Sequence, residues 1–456
     1  MVIRAALREA VPPGAAGLAV GAAPDRSWMP TRAFGRSIVI TGLLLVTAVV
    51  LGRVDLVVLA APFALGSALA LRRRPVGRPE VQIAVAEQLL AEGGELAATV
   101  SVGNQDEVGY DLVVLRTGIS RWLDVHHGDR PYLAPVGSGK VIDVALDGHA
   151  LRWGRHAFGP ATVRAVACDG LLVSPLSRAP ARGVKVYPLT EPFDAAEAMP
   201  RAAGLVGGHR SRRPGEGGEL AGVRVFGPGD RLRRIDWRVS LRTRQLHVAA
   251  TLSDRDAEVV LLLDVLREAG RSGGVHGAAS VLDTTVRAAA GIAEHYLHRG
   301  DRVAMLEYGF RARRLRPASG RRQYVTALEW LLDTRATPTQ YEPTGPLFGA
   351  HLLPANALVV ALTPLLDPRT AAMLARLARV GRFLVAVDTL PPGLTAPNPG
   401  EWAGVAERLW RLERENVIGA LREYGVPVVA WAGAGSLDQV LRDVSRLAAA
   451  PKVVFR

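Results

Sequence analysis

Two stretches near the start of the chain contain no charged residue. They run from Ser37 to Gly52 and from Leu56 to Leu71, and only residues 53–55 separate them. Each stretch, as a helix, would rise about 24 Å. This is a little short of the ~30 Å hydrocarbon core of a bilayer, and flanking arginines can cover the difference by snorkelling. The pattern predicts a transmembrane helical hairpin over residues 35–74, and the alternative is a pair of helices buried in a soluble core.

Arginines cluster outside this hairpin rather than in its connecting loop. Positive charge marks the cytoplasmic side of a membrane segment. We therefore expect a multi-pass cell-membrane protein with two helices, whose termini and soluble domains are cytoplasmic and whose first partner is the lipid bilayer. Residues 1–34, rich in Ala, Gly and Pro, are predicted to be a disordered cytosolic tail. The flanking cations are Arg26, Arg32, Arg36, Arg72, Arg73, Arg74 and Arg78.

After the hairpin the pattern changes to short alternating runs separated by glycine-containing turns. This pattern is typical of half-buried strands, and no helical period interrupts it. Residues 80–190 are therefore predicted to form an all-β domain of the sandwich type. The strand candidates are 81–85, 96–102, 112–115, 141–146 and 163–167.

From residue 256 to residue 450 apolar strands alternate with helical segments, including a predicted strand over 302–308 and a predicted last helix over 437–449. The first strand, Glu258–Leu263, is a continuous apolar run of the kind that helices cover on both faces. Regular alternation predicts a doubly wound α/β sheet. The fold class expected for the whole chain is therefore α/β plus all-β, preceded by the helical hairpin.

Composition narrows the function classes. Hydrophobic residues make up 49% of the 456-residue chain, which excludes a mostly disordered protein. The single cysteine, Cys168, excludes an intramolecular disulfide and a multi-cysteine metal cluster. None of the sequence motifs of metalloproteases, serine hydrolases or phosphate loops occurs. We therefore expect a protein that is not an enzyme and that has no catalytic residues.

The candidate functional residues are most concentrated in an arginine-rich segment, residues 200–255. Positions 201–250 hold eleven arginines and four acids. Three interpretations stay open. The segment could form an internal Arg/Asp network that fixes a loop, or a protein-docking surface rich in Arg and Trp. Binding of nucleic acid or another polyanion is the least expected, because few aromatic residues are available for stacking. The candidate residues are Arg224, Asp230, Arg233, Asp236, Trp237 and Arg242.

The order of these residues resembles the signature of the domain of unknown function 58 family, roughly R-x-Y-x-P-G-D-x-x-R-x-I-D-W-x-x-S-A-R. Residues 153–160 and 168–172 are similar to two upstream motifs of that family. Phe226 replaces the usual tyrosine and Leu241 the usual alanine, and both keep an apolar character. The resemblance implies a von Willebrand factor A-like domain over residues 256–450 and a partner of the MoxR-type AAA+ ATPase class.

Such a domain usually carries a metal-ion-dependent adhesion site at the carboxyl ends of its strands. Its first element, Asp-x-Ser-x-Ser, supplies oxygen ligands that suit Mg²⁺. Here only Asp264 matches; Leu266 and Glu268 replace the serines, and Asp367 lies near the expected later aspartate. We therefore expect a degenerate site and no cofactor. Asp264, Glu268 and Asp367 are the ligand set if Mg²⁺ binds.

Together these observations predict a membrane-anchored, non-enzymatic scaffold or adaptor that docks a cytoplasmic partner, expected to be a MoxR-type ATPase. The first alternative is a metal-dependent ligand-binding module of the adhesion-site type. The second is a module that binds polyanions through the arginine-rich segment.

Overall fold

The computed structural model describes residues 28–128, 130–190, 214–227, 235–252, 258–310, 313–341, 343, 353–354, 357–394 and 401–431. The chain divides into two compact units, Met1–Val186 and Tyr187–Arg456. It is a mixed α/β protein with many strands and two apolar helices near its N-terminus, which confirms the fold class at that level.

The helical hairpin consists of α1 (Arg32–Leu51) and α2 (Asp55–Arg72). By length and composition both helices could span a membrane. Most of their apolar side chains face outward, as at Val49, which is 84% exposed. One polar contact joins the helices: the Ser37 and Ser67 hydroxyls lie 3.0 Å apart. A hydroxyl pair between helices with an apolar exterior suits a lipid environment.

The segment before α1 differs from the predicted loose tail, because residues 28–34 are ordered. Trp28 is buried, and its indole Nε1 donates to the carbonyl of Gly77 at 2.9 Å. A short strand, β1 (Met29–Pro30), follows, and Thr31 then caps α1. A buried tryptophan and strand pairing fix this stretch against the β domain, so only residues 1–27 of the predicted tail lie outside the described residues.

The remainder of the first unit is built from antiparallel strands. One sheet runs in the order β1-β10-β9-β12-β3, with β5 and β11 also paired to β9 and with β7 paired to β5; the other has the order β2-β4-β8-β6. The strands are β2 (Glu80–Val85), β3 (Leu89–Ala91), β4 (Glu95–Gly103), β5 (Tyr110–Ile119), β6 (Leu123–Val125), β7 (Tyr132–Val136), β8 (Val141–Ala150), β9 (Gly154–Ala167), β10 (Leu172–Val173), β11 (Ser177–Ala179) and β12 (Arg182–Tyr187).

Side chains from both sheets share one apolar core. Val100 and Leu146 of the smaller sheet and Phe158 and Val163 of the larger sheet belong to the same buried cluster. This two-sheet arrangement is the one that alternating short strands predict. Five of the strands include the predicted candidates, whereas the short strands that flank them gave no clear periodicity.

The second unit begins with a hairpin of β13 (Pro214–Val225) and β14 (His247–Leu252), between which lies a short helix, α3 (Trp237–Thr243). A six-stranded sheet follows, in the order β17-β16-β15-β18-β19-β20. All pairings in this sheet are parallel except that of β17. The elements are β15 (Glu258–Asp264), α4 (Val281–His298), β16 (Arg302–Tyr308), β17 (Arg314–Ala318), α5 (Arg321–Leu331), β18 (Leu358–Thr363), α6 (Pro368–Arg379), β19 (Phe383–Asp388), α7 (Ala403–Glu423) and β20 (Val428–Ala430).

The central strand β15 is buried at every position. Its side chains alternate between the two faces of the sheet, and Val260 and Leu262 pack in a cluster with Leu374 of α6 and Leu421 of α7. The alternation of strands and helices predicted from the sequence is present from β15 to β20. The predicted last helix, 437–449, lies outside the described residues.

Candidate functional site

The arginine-rich segment is held by the β13–β14 hairpin. The amide of Phe226 donates to the carbonyl of Leu246 at 2.9 Å, and Ile235 forms an isolated bridge with Val248. The amide of Asp236 donates to the carbonyl of His247 at 2.9 Å. The chain therefore leaves the hairpin after β13 and returns to β14 with both ends fixed by backbone hydrogen bonds.

Helix α3 occupies the return path and is capped at its first turn. The Asp236 carboxylate accepts a hydrogen bond from the amide of Val239 at 3.1 Å, which satisfies one of the free donors at the helix start. The hydroxyl of Ser240, a buried side chain, accepts from the amide of His247 at 2.9 Å. These two residues of the signature therefore fix α3 on the hairpin.

The opposite side of α3 is open to solvent. Trp237 is 62% exposed and Leu241 is 78% exposed, and they lie four residues apart, on one face of the helix. Arg238 and Arg242, one position further along in each case, are also exposed. We call Trp237, Arg238, Leu241 and Arg242 the α3 surface.

The predicted Arg/Asp network is described only in part. Asp230 and Arg233 lie outside the described residues. The Asp236 carboxylate caps α3 through the amide of Val239, and no ion pair joins it to Arg242 among the described residues. The Nη1 of Arg224 donates to the carbonyl of Val225 at 3.2 Å. The position of Asp236 directly before a helical segment was a usable capping signal in the sequence.

The carboxyl end of the six-stranded sheet holds a second group of polar residues. Asp264, the last residue of β15, is buried. Its carboxylate accepts from the hydroxyls of Thr363 at 2.7 Å and Thr370 at 2.8 Å, and from the amide of Leu266 at 3.1 Å. Burial raises the pKa of Asp264, and these three hydrogen bonds act in the opposite direction.

Asp367 lies beside this carboxylate and is held by two guanidinium groups. Arg369 binds it through two nitrogens, at 2.8 Å from Nε to Oδ1 and 2.7 Å from Nη2 to Oδ2. The Nε of Arg267 donates to Oδ2 at 3.2 Å. Hydrogen bonding to Arg369 lowers the pKa of Asp367 to about 2. Asp367 also caps α6 through the amide of Arg369.

The geometry of this end does not fit a divalent cation. Both oxygens of Asp264 accept hydrogen bonds from the protein, and both oxygens of Asp367 face guanidinium groups. Glu268, the third predicted ligand, instead accepts from the amide of Leu282 at 3.4 Å. Across the described part of the chain, no three His, Cys, Asp or Glu side chains form a group that could hold a metal ion.

The sequence pattern singled out the acids of this end but missed the partners that decide its chemistry. Thr363 ends β18, and Thr370 and Arg369 lie in the first turn of α6. The run Asp367-Pro368-Arg369-Thr370 carries a helix-start signal, an Asp followed by Pro at the first helical position. That signal predicts a cap, and it gives no indication that the arginine turns back onto the aspartate.

The single cysteine, Cys168, packs against the end of α2. Its Sγ lies 3.9 Å from the carbonyl of Ala70 and 3.8 Å from that of Arg73, at the end of α2. Burial raises the pKa of this thiol. The motif that contains it joins the β domain to the hairpin, since the Thr31 hydroxyl donates to the carbonyl of Gly170 at 2.8 Å.

The chain therefore has two apolar helices and antiparallel β sheets in its first unit. In its second unit, a parallel sheet follows the β13–β14 hairpin. Residues 222–387 match the family model described as "Protein of unknown function DUF58". This match covers the α3 surface and the carboxyl end of the sheet, and it supports the resemblance to the DUF58 family over that part of the chain.

Similar curated proteins come from mycobacteria. The chain is 41% identical over 61 residues to "Uncharacterized protein Rv1480" of Mycobacterium tuberculosis (strain ATCC 25618 / H37Rv) and to "Uncharacterized protein Mb1516" of Mycobacterium bovis (strain ATCC BAA-935 / AF2122/97). The matched residues make up 13% of this chain and 19% of each relative. The chain therefore spans about a fifth of the length of the curated relatives it matches.

Solved structures resemble only part of the chain. Native Escherichia coli alpha-2-macroglobulin is 14% identical, with a TM-score of 0.21, over 28% of this chain and 9% of that protein. The cupredoxin domain of amoB from Nitrosocaldus yellowstonii is 11% identical, with a TM-score of 0.18, over 28% of this chain and 97% of that domain. Neither likeness carries a functional argument.

Proposed function

We propose that this protein is a membrane-anchored, non-enzymatic adaptor whose α3 surface docks a cytoplasmic protein. The observation that carries the proposal is the exposure of Trp237 and Leu241 on a helix that Asp236 caps and that Ser240 joins to β14. Tryptophan and arginine dominate the binding energy of protein interfaces. A pre-positioned helix also loses little conformational freedom on binding.

The charge of the α3 surface favours direct contact with a protein over a contact mediated by a metal ion. Arg238 and Arg242 flank the two apolar side chains, and neither guanidinium forms an ion pair among the described residues. An apolar centre with a basic edge suits an apolar partner surface that carries acidic residues. The family resemblance suggests a MoxR-type AAA+ ATPase as that partner.

The membrane part of the proposal rests on the hairpin. Helices of 20 and 18 residues rise about 30 Å and 27 Å, close to the thickness of the hydrocarbon core. Both open ends of the hairpin carry arginines, which supports a cytoplasmic position for both units. The order of the parallel sheet, with one antiparallel edge strand, supports a von Willebrand factor A-like second unit.

Affinity capture of the full chain from detergent extracts tests the docking role. We expect an ATPase to co-purify with the wild-type protein. The amount recovered should fall at least tenfold when Trp237→Ala is combined with Arg242→Glu. Arg322→Glu, at an exposed position on α5, is the matched charge control. Equal recovery with correctly folded variants would remove the docking role of α3.

Retention on heparin separates the polyanion alternative from the adaptor. Binding of phosphate-like or sulfate-like polyanions releases counterions and so weakens steeply with salt. At physiological salt we expect Arg238→Gln and Arg242→Gln to leave retention on heparin unchanged. Strong retention that both Arg238→Gln and Arg242→Gln abolish would favour the alternative.

A further inference from the structure

Helix α7 is fixed to the second unit along one side. Leu421 is buried in the cluster that α6 and the parallel sheet share, and Val417 and Ile418 pack against it. Arg414, on the same side, forms an ion pair with Asp388 of β19 at 2.5 Å. These contacts set the orientation of the helix and so define the face that points away from the sheet.

The opposite side of α7 carries a stripe of exposed apolar side chains. Trp402 directly precedes the helix and is 72% exposed, and Leu409 is 60% exposed. The members of the stripe lie alternately three and four residues apart, which is the spacing of the a and d positions in a coiled coil. An uncovered apolar row of this kind marks a contact surface. We call the exposed residues Trp402, Val405, Leu409, Leu412 and Asn416 the α7 stripe.

The charges beside the α7 stripe favour a protein partner over a lipid surface. The positions that border a and d, named e and g, hold the charged residues Glu401, Arg408, Glu413 and Glu415. One arginine against three glutamates leaves a net charge of −2. Helices that lie on membranes carry Lys and Arg on their polar face instead. Anionic lipid head groups would repel this border.

The order of these charges matches a second copy of the same helix. In a parallel pair of helices, a g residue lies beside the following e residue of the other helix. Arg408, at a g position, would then face Glu413 of the second copy, and two-fold symmetry would form this contact twice. Glu413 is exposed and forms no ion pair within the described part of the chain. In the antiparallel pair that aligns the same stripe, Arg408 would face its own counterpart, which is unfavourable.

We propose that two copies of this chain associate through the α7 stripe as a parallel, two-stranded coiled coil. The apolar a and d side chains fill the seam, and Asn416 meets its counterpart at an a position, a polar pair that specifies register and strand number. The seam spans little more than two heptads, so attachment of both copies to one membrane, which raises their effective concentration, contributes to the association. The inference rests on the proposed membrane anchor and goes beyond the docking role of the α3 surface.

Cysteine crosslinking of the full chain, in membranes of the expressing cells, tests this pairing. Cys168→Ala removes the native thiol. Leu412→Cys then places a thiol at a d position, where a parallel pair brings identical residues together. With copper phenanthroline as the oxidant, we expect Leu412→Cys chains to be linked roughly tenfold faster than Arg411→Cys chains. Arg411 is the matched control, because it is exposed on the same helix but lies outside the stripe.

Charge exchange tests the contact between Arg408 and Glu413. Glu413→Arg places like charges at both of these contacts, so crosslinking through position 412 should slow roughly fivefold. Arg408→Glu combined with Glu413→Arg restores opposite charges and should return the rate to within about twofold of the parent. Glu415→Arg makes the same charge change at a g position that faces Ala420, and it should alter the rate by less than about twofold.

Four results would overturn the parallel dimer. Equal rates at positions 411 and 412 would indicate random collision, and no product at position 412 would mean that something other than a second copy covers the stripe. Faster linking of Val405→Cys chains to Leu412→Cys chains than of identical chains would indicate an antiparallel pair. Full chain in the soluble fraction would refute the anchor on which the inference rests. Trp237→Ala should leave crosslinking unchanged, so failure of the α3 docking role and failure of this pairing give different results.

Discussion

The α3 surface and the carboxyl end of the sheet use the same residue types in opposite ways. At the sheet end, Asp264 and Asp367 are buried, and Arg369 turns inward to bind Asp367. On α3, the acid caps the helix and the arginines face solvent beside an exposed tryptophan. The comparison teaches that the density of charge in a sequence does not indicate which charged groups are paired and which face solvent.

The largest effect is expected where a buried carboxylate serves three donors. Asp264→Ala leaves the Thr363 and Thr370 hydroxyls and the Leu266 amide without their acceptor. We expect a loss of about 3 kcal/mol in the free energy of unfolding. Denaturant unfolding of the detergent-solubilised full chain measures this loss, and hydrogen exchange of the β15 amides measures it locally. Asp264→Asn keeps an acceptor and should lose clearly less; equal losses would contradict this account.

The pairing of Asp367 predicts a pH dependence. Because Arg369 lowers the pKa of Asp367 from 3.8 to about 2, its contribution to stability is fully present above about pH 4 and is lost as the pH falls toward 2. Asp367→Asn should lower stability by about 2 kcal/mol at neutral pH and flatten the acid limb of the profile. An unchanged acid limb, measured by unfolding between pH 2 and 6, would show that Asp367 is not held as described.

A smaller and more local effect is expected at the cap of α3. Asp236→Ala removes the acceptor of the Val239 amide and should destabilise the helix by about 1 kcal/mol. Asp236→Ser, which can cap in the same way, should restore most of this loss. Hydrogen exchange of the α3 amides distinguishes the two variants, and equal protection in both would argue against capping.

The smallest effect on stability is expected from the α3 surface itself. Trp237→Ala and Leu241→Ala remove exposed side chains, so each should change the free energy of unfolding by less than about 0.5 kcal/mol. A large loss of stability in either variant would mean that these residues belong to a packed interior. The expected pattern, nearly unchanged stability with reduced capture of the partner, is the one that separates a docking residue from a structural one.

Sequence patterns predicted the parallel sheet well because its strands are continuous apolar runs. The predicted strand 302–308 coincides with β16, and that of 258–263 differs from β15 by one residue. The edge strand β17 was missed because Arg314, Arg316 and Pro317 interrupt the apolar pattern. The ordering of residues 28–34 was missed because it depends on distant partners of Trp28 and Thr31.

The candidate sites were less predictable, since they depend on which partner each charged group meets. The resemblance to an adhesion site paired Asp264 with Asp367, but it gave no indication of the arginines that bind Asp367. The family resemblance located the signature, and the structure shows that Asp236 belongs to its support. Asp230 and Arg233 stay predictions.

The most direct test of the central claim is site-specific photocrosslinking in living cells, with the crosslinker placed at position 241 of the full-length chain. We predict a crosslinked product that contains a MoxR-type ATPase, identified by mass spectrometry, and that Arg242→Glu reduces. The same crosslinker at position 322 on α5 should give no such product. Equal products at the two positions, or none at position 241 while the protein is present in the membrane fraction, would contradict the claim that α3 is the docking surface.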